Sequence, residues 1–257
     1  MFVSCTGMAR SGSTWSFNVC RELLEATGEP LIAGYYGEAE ALDAFIESRG
    51  LEVFPGHVLL KLHQPAEQLL GMICEGRVRN VFTLRDPRDC VRSRMAFEGR
   101  PFEDALMGVA GNLIMYNLFV GVTDTLFVRY EEMTVDPATE VRRLAGHLGL
   151  APDEGEVSRI VAATDLEAAR RKVAGLDQRR DAGMMEIGGR RIDAETCLQM
   201  GHIRDGRAGA WREALDPAER ITASAVLREW LIGLGYAEAG ELDAEAERHF
   251  GATPAAA

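Results

Sequence analysis

The stretch GMARSGSTW at residues 7–15 decides the fold of this chain. A short apolar run at residues 2–6 precedes it, and residues 13 to about 26 follow it with the spacing of an amphipathic helix. The pattern predicts a strand, a tight glycine-containing loop and a helix. Such a loop presents backbone N–H groups, and the positive end of a helix dipole, to a phosphate group. We therefore predict an anion site here, with Arg10 completing it.

The loop nearly matches the nucleotide-binding pattern GxxxxGK[ST], but Ser13 stands where that pattern has lysine. An ordinary ATP-binding loop is therefore disfavoured, although a P-loop nucleoside-triphosphate kinase stays open as an alternative. An uncharged turn between a strand and a helix is a further alternative.

The rest of the chain alternates short apolar runs with helical patterns. The apolar runs lie at 30–36, 58–62, 78–84 and 125–129, and the helical patterns lie at 38–48, 66–74, 87–97 and 103–120. This alternation predicts an α/β fold, a P-loop-like three-layer sandwich whose central parallel sheet is flanked by helices.

The C-terminal part is predicted to be helical. After residue 134 we expect helices at 137–149, from about 153, and at 217–234. Residues 175–209 combine many Gly, Arg and Asp residues with little periodicity, which predicts a long lid loop. We predict a single domain over residues 1–257 with a frayed tail at about 250–257.

The composition limits the classes of function. The 257 residues carry a formal net charge of −12, which argues against a broad basic face for nucleic acid. Basic residues comprise 26 arginines and only two lysines, Lys61 and Lys172. The five cysteines form no CxxC pair, and we find neither a secretory signal nor an apolar span of about 20 residues. We expect a cytoplasmic protein with no membrane span and no metal site.

A second candidate anion site follows the strand predicted at 78–84. Arg85 stands at the end of that strand, and Ser93 follows on the helix that begins at Pro87. Ligands of open α/β sheets gather at the edge where Arg85 is expected. The alternative is a charged helix start, in which Asp86 and Asp89 interact with the helix dipole.

Four stretches resemble, in the same order, motifs of the sulfotransferases that use 3′-phosphoadenosine-5′-phosphosulfate (PAPS). ARSGSTW at 9–15 resembles the 5′-phosphosulfate loop PKSGTTW, and RDPRDCVRS at 85–93 is similar to the 3′-phosphate motif RDPRDxxxS. FVRYEEM at 127–133 looks like the YEDL segment, and RDGRAGAW at 204–211 is similar to RKGxxGDW. The chain departs from these patterns at Ala9, Arg10, Asp205 and Ala210, where the family has Pro, Lys, Lys and Asp.

The resemblance implies a site for PAPS and for its product, adenosine 3′,5′-bisphosphate. The residues that it assigns to this site are Arg10, Ser11, Gly12, Ser13, Thr14, Trp15, Arg85, Ser93, Tyr130, Arg204 and Gly206. Trp15 is expected to stack on adenine or, alternatively, to pack in the core, and Tyr130 is alternatively a buried aromatic at a strand end. The lid arginines Arg179, Arg180, Arg190 and Arg191 face either solvent or an anionic group.

The stretch VLLKLHQP at 58–65 resembles the family segment KTHLP. The resemblance implies that His63 is the general base, with Lys61 beside it and Arg10 in the loop stabilising the charge that develops. A histidine that only ends a strand is the alternative for His63. Some enzymes of this kind use a carboxylate as base, and Glu38 is the candidate for that role.

The function implied is transfer of a sulfuryl group from PAPS to a hydroxyl of a small-molecule acceptor, by in-line displacement with a general base and no divalent metal. A kinase, and a nucleotide-binding regulator without catalysis, are the competing hypotheses. The acceptor pocket is expected from residues 38–58, 97–107 and the lid. Tyr35, Tyr36, Phe97 and Phe102 indicate either a ring-bearing or lipid-like acceptor or ordinary core packing; the oligomeric state is not predicted.

Overall fold

The computed structural model describes residues 1–49, 54–64, 67–121, 125–176, 179, 181, 183–187, 189–201, 203 and 206–250, without the side chains of 39, 249 and 250. None of the helices in this part of the chain combines the length and the apolar character needed to cross a bilayer.

Five parallel strands form the central sheet. They are β1 (Phe2–Gly7), β2 (Leu31–Tyr36), β3 (Val58–Leu62), β4 (Val78–Leu84) and β5 (Thr125–Arg129). Their order is β2-β3-β1-β4-β5, and every neighbouring pair is parallel. Two further strands, β6 (Met184–Ile187) and β7 (Arg190–Asp193), form an antiparallel hairpin.

Thirteen helices are described in these ranges. They are α1 (Ser13–Glu25), α2 (Ala39–Arg49), α3 (Glu67–Cys74), α4 (Pro87–Glu98), α5 (Phe102–Phe119), α6 (Tyr130–Val135), α7 (Pro137–His147), α8 (Glu154–Thr164), α9 (Leu166–Leu176), α10 (Trp211–Ala214), α11 (Pro217–Val226), α12 (Arg228–Gly233) and α13 (Ala239–Phe250). The structure thus confirms the predicted α/β class, with a central parallel sheet flanked by helices.

Strand β1 occupies the point at which the strand order reverses. The chain runs from β1 to β2 and β3 on one side and then crosses to β4 and β5 on the other. In open α/β sheets ligands bind where the order reverses, at the carboxyl ends of the strands. The loop at residues 7–15 leaves β1 at that point.

Helix α1 anchors this loop to the core. It packs on β1 and β3 and also on α7 and α8. Phe17, Val19 and Cys20 are therefore fully buried in the main apolar cluster. Both sides of the helix are covered, so its first turn is fixed relative to the sheet. The anion loop ends in this turn.

The chain divides into two compact units. The first unit, Met1–Arg85 with Ile114–Gly206, holds the five-stranded sheet and the hairpin. The second unit, Asp86–Leu113 with Arg207–Ala257, is helical in its described part. The single domain over 1–257 stays a prediction.

Two short strands, β6 and β7, lie within residues 175–209, where the sequence predicted a long lid loop; its role as a lid stays a prediction. Strands of four residues are too short for periodicity to reveal. The usable signal was the pair Gly188-Gly189, since two glycines suit a two-residue hairpin turn, and Gly189 has a φ of 74°.

Other boundaries near the C-terminus also differ. The helix predicted at 217–234 is two helices that meet at Leu227, and α13 follows where no helix was predicted. Residue 250, predicted to begin the frayed tail, ends α13, and 251–257 lie outside the described residues.

Candidate active site

The anion loop lies directly on strand β4. Gly7 has a φ of 138°, and a Cβ at this position would lie 2.1 Å from Thr83 Oγ1. The next N–H, that of Met8, donates to the Thr83 carbonyl at 3.1 Å. Only glycine allows this approach, so the loop leaves the sheet at a fixed angle.

Ser11 ties the loop to β4 through its side chain. Its fully buried hydroxyl lies 2.7 Å from the Met8 carbonyl oxygen, 3.0 Å from the Thr83 carbonyl oxygen and 2.6 Å from Thr83 Oγ1. Its neighbour Arg10 adopts a φ of 72°, which is uncommon for a residue other than glycine. The Ser11 hydroxyl is therefore used within the protein, and the assignment of Ser11 to the cofactor site stays a prediction.

Helix α1 begins at the end of this loop without a side-chain cap. Gly12 is the N-cap residue, with a φ of 91°, and only its carbonyl takes part, accepting from the Trp15 N–H at 2.8 Å. A Cβ on Gly12 would lie 2.3 Å from Met133 Cε and 3.0 Å from Tyr130 Cδ2. Glycine thus allows Met133 and Tyr130 to pack closely against the loop. The helix start has no side-chain cap, which leaves its first N–H groups suited to an anion.

The hydroxyl of Thr14 has no hydrogen-bond partner among the described residues, although Oγ1 is buried. Thr14 and Ser13 are only 7% and 4% exposed. A buried hydroxyl without a partner costs free energy, so a ligand oxygen at this position would offset that cost. Trp15 is half-buried and packs against the core cluster, and its stacking on adenine stays a prediction.

Arg85 reaches the same loop from the end of β4. Its Nη1 donates to the Arg10 carbonyl at 3.3 Å, and its guanidinium lies 4.0 Å from the centre of the Tyr130 ring. The Tyr130 hydroxyl donates to the Gly206 carbonyl at 2.7 Å. Through these contacts Tyr130 connects the anion loop, Arg85 and the segment at Gly206.

Two further residues are assigned to the cofactor site. Ser93 is on α4 in the second unit and is buried there. Arg204 lies outside the described residues, as do its neighbour Asp205 and the lid residue Arg180. The assignments of Ser93 and Arg204 to the cofactor site stay predictions.

His63 follows β3 and is fixed by the backbone of the anion loop. Its Nδ1 lies 2.9 Å from the Gly7 carbonyl oxygen. A carbonyl can only accept, so Nδ1 carries the proton and Nε2 holds the lone pair. Nε2 is then the basic nitrogen, and Lys61 Nζ lies 3.4 Å from it.

Lys61 is 4% exposed, although it carries an amine. Burial lowers the pKa of this amine to about 8, and the nearby Arg10 also lowers it, whereas Cys197 and Cys5 act in the opposite direction. Burial in turn raises the pKa of the Cys197 thiol to about 12. Near neutral pH Lys61 is thus mostly charged but can lose its proton within the physiological range.

Glu38, the alternative base, is exposed just before α2, where its carbonyl accepts from the Leu42 N–H at 3.4 Å. Among the lid arginines, Arg179 pairs with Asp181 and Asp193, and Arg191 donates to the Arg179 carbonyl. These two arginines therefore hold the region of the hairpin together.

Comparison with known proteins finds a similarity over part of the chain. A family model described as the sulfotransferase domain matches residues 123–235. Over these residues the chain is similar to the sulfotransferases. No curated protein matches the chain. The matched range holds Tyr130 and the segment at 204–211, whereas the anion loop and His63 precede it.

Solved structures share the fold of this chain at low sequence identity. Mouse sulfotransferase SULT7A1 complexed with PAP is 13% identical, with a TM-score of 0.63 over 96% of this chain and 88% of that one. Retinol dehydratase in a complex with retinol and PAP is 18% identical, with a TM-score of 0.61 over 90% and 81%. The complex of retinol dehydratase with androsterone and inactive cofactor PAP is 18% identical, with a TM-score of 0.58 over 90% of this chain and 80% of that one.

In the second unit, the start of α4 is a cluster of paired charges. Asp86 caps the helix through the Arg88 N–H, and its carboxylate also accepts from Arg88 Nε at 3.0 Å and Nη2 at 2.9 Å. Trp211 Nε1 donates to Asp86 at 3.0 Å, and the Arg88 guanidinium lies 3.8 Å from a Trp211 ring centre. Asp89 accepts from the N–H groups of Gly209 and Trp211. These contacts fit the charged helix start that the sequence offered, and the anion site predicted at Arg85 and Ser93 stays a prediction.

Proposed function

We propose that this protein is a sulfotransferase that moves a sulfuryl group from PAPS to a hydroxyl of a small, apolar acceptor. One observation carries the proposal. The buried, unpartnered Thr14 hydroxyl and the uncapped start of α1 lie in the loop whose Gly7 carbonyl orients His63. The same loop therefore carries the proposed anion site and orients the proposed base.

The cofactor side of the proposal rests on the loop and its arginines. N–H groups at the start of α1, the hydroxyls of Ser13 and Thr14, and the guanidinium of Arg10 supply donors for a 5′-phosphosulfate. Arg85 supplies a further cation for the nucleotide. The bound PAP in the solved structures supports this nucleotide class.

The reacting side rests on His63. Its Nε2 accepts the proton of the acceptor hydroxyl as the acceptor oxygen forms its bond to sulfur. The bond between sulfur and the bridging oxygen of the 5′-phosphate breaks, and the electron pair stays on that oxygen. Arg10 and the loop N–H groups stabilise this charge, and Lys61 stabilises charge beside His63.

The acceptor side is apolar. Tyr35 stands beside His63 with ring centroids 5.9 Å apart, and Tyr36 packs on Phe45 at 5.3 Å. Two of the solved structures are complexes with retinol and with androsterone, which are apolar molecules that carry a hydroxyl. We place the reaction in the cytoplasm.

Binding of adenosine 3′,5′-bisphosphate tests the nucleotide class. Titration calorimetry without divalent metal is expected to show saturable binding of one molecule per chain. ATP with magnesium is the comparison, because a P-loop kinase would prefer it. Failure to bind the bisphosphate would overturn the proposal, and preference for ATP with magnesium would favour the kinase.

Replacement of the base tests the chemistry. We expect His63→Ala to lower the rate of sulfuryl transfer about 10²- to 10⁴-fold, because Nε2 no longer accepts the proton, and to leave bisphosphate affinity unchanged. Glu38→Gln is the matched variant and should keep the rate. Full activity in His63→Ala with loss in Glu38→Gln would make Glu38 the base. Bisphosphate binding without transfer to any acceptor would favour a regulator.

A further inference from the structure

The Lys61 side chain faces groups from every element packed around it. The register of the sheet sets two of these neighbours, because Lys61 pairs with Tyr35 on β2 and with Cys5 on β1. Paired residues on parallel strands point to the same face. The titratable and charged groups facing Lys61 are Cys5, Arg10, Tyr35, His63 and Cys197.

No carboxylate forms an ion pair with Lys61 among the described residues. Its ammonium is nevertheless almost completely buried, and a buried charge needs stabilising contacts. Two contacts are present. Nζ lies 4.8 Å from the centre of the Tyr35 ring, within cation–π range, and 3.4 Å from His63 Nε2. Arg10, the other cation nearby, opposes the charge of Lys61.

The Tyr35 ring contacts both members of the Lys61–His63 pair. Besides its face toward Lys61, it meets the imidazole at an interplanar angle of 61° with centroids 5.9 Å apart. This edge contact and the hydrogen bond from Nδ1 to Gly7 restrain the imidazole from two directions. No other aromatic ring among the described residues is placed against both side chains.

We propose that Tyr35 is a positioning residue for the proposed transfer, whose ring keeps the Lys61 ammonium charged and beside His63 Nε2. The inference rests on the proposed function for its catalytic consequence, but not for the contact itself. The hydrogen bond from Lys61 to Nε2 is long and therefore weak, so an acceptor hydroxyl can replace it while the ammonium stays in place. Lys61 then stabilises charge next to the reacting oxygen, and Tyr35 acts on the transfer through Lys61.

The small number of lysines allows a direct test. With lysine labelled with ¹³C at Cε, the spectrum of this chain contains only the signals of Lys61 and Lys172, and Lys172→Arg assigns them. The pKa of Lys61 is measured in the wild type and in Tyr35→Leu, which removes the ring. The matched control is Tyr35→Phe, which keeps the ring and removes the hydroxyl.

We expect the pKa of Lys61 to fall by about one unit or more in Tyr35→Leu, because a desolvated cation–π contact is lost. Tyr35→Phe should stay within about 0.3 unit of the wild type. A shift below about 0.3 unit in Tyr35→Leu, or an equal fall in both variants, would overturn the proposal. If Tyr35→Leu does not fold, Tyr35→Met provides a second variant without a ring, and the same outcomes decide.

The kinetic readout separates positioning from simple packing. In Tyr35→Leu the high-pH limb of kcat should move to lower pH by the same shift as the pKa of Lys61, with bisphosphate affinity unchanged. Tyr35→Phe should restore the wild-type profile. A uniform loss of activity at all pH values would indicate a packing role and overturn the proposal. The lysine titration needs no turnover, so a protein that fails to transfer sulfate can still confirm the contact.

Discussion

Lys61 and Arg88 are two cations buried to the same degree, at 4% and 3% exposed, in opposite kinds of surroundings. Arg88 makes two hydrogen bonds to the Asp86 carboxylate, stacks on Trp211 and donates to the Tyr236 carbonyl at 3.1 Å. Lys61 meets an aromatic ring, an imidazole and two thiols. Arg88 therefore stabilises the fold, and Lys61 is the cation that we assign to the proposed transfer.

The hydroxyls of the anion loop show the same contrast. Ser11 uses its hydroxyl for bonds to Met8 and Thr83, whereas Thr14 buries a hydroxyl with no partner among the described residues. Paired polar groups stabilise the fold, and unpaired ones cost stability unless a ligand satisfies them. Residues of the first kind should therefore affect folding when replaced, and residues of the second kind should affect binding.

The largest effect is expected from breaking the paired cation. Asp86→Ala leaves Arg88 buried without its carboxylate and should lower the free energy of unfolding by about 3–5 kcal/mol. Asp216→Ala is the matched control, since Asp216 also caps a helix that begins with proline but pairs with no buried cation. It should cost about 1 kcal/mol. Urea unfolding measures both, and equal losses would show that Arg88 adds nothing beyond the cap.

Replacement of Lys61, which has no carboxylate partner among the described residues, should change the free energy of unfolding in the opposite direction. The pKa of Lys61 falls from 10.5 when exposed to about 8 in the folded protein, because of burial. Between these values the unfolded state binds more protons, so the free energy of unfolding rises with pH across that window. Lys61→Met should remove this rise and stabilise the protein at pH 7 by up to about 3 kcal/mol.

Urea unfolding at pH 7 and at pH 10 measures this difference, with the exposed Lys172→Met as control. A Lys61→Met variant less stable than the wild type at pH 7 would mean that the contacts of Lys61 outweigh the cost of its burial.

The smallest effect separates binding from folding within the loop. Thr14→Val keeps the shape of the side chain and removes the unpartnered hydroxyl. We expect bisphosphate affinity to fall about tenfold while the free energy of unfolding stays equal or rises by up to about 1 kcal/mol. Thr14→Ser should retain the affinity.

Ser11→Ala provides the contrast, because it should lower stability by about 1–3 kcal/mol. Unchanged bisphosphate affinity in Thr14→Val would refute a ligand role for the hydroxyl. Calorimetric titration and urea unfolding of the same samples give both quantities.

Much of the fold could be predicted from the sequence because buried strands are short apolar runs bounded by loops. The bounds of β3, β4 and β5 agree with the prediction to the residue. The break at Leu227 could not be predicted, since the helical spacing continues through it. The hairpin was missed because four-residue strands carry too little pattern.

The candidate site was predictable as a set of residue types but not as a set of contacts. The sequence pointed to Lys61 and His63, yet the tautomer of His63 depends on the Gly7 carbonyl, 56 residues away. Tyr35 lies beside Lys61 because of the register between β2 and β3, and this register cannot be predicted from a local sequence pattern. The pairing of Asp86 with Arg88 is visible only in three dimensions.

Gly7 links the anion loop to His63. Its lack of a side chain lets the loop press against Thr83, and its carbonyl fixes the imidazole of His63. A loop transplanted onto another strand would carry the phosphate donors but leave the base free to rotate. In the proposed reaction, a movement of the loop on donor binding would also turn the imidazole, so donor binding and orientation of the base would be coupled through one carbonyl.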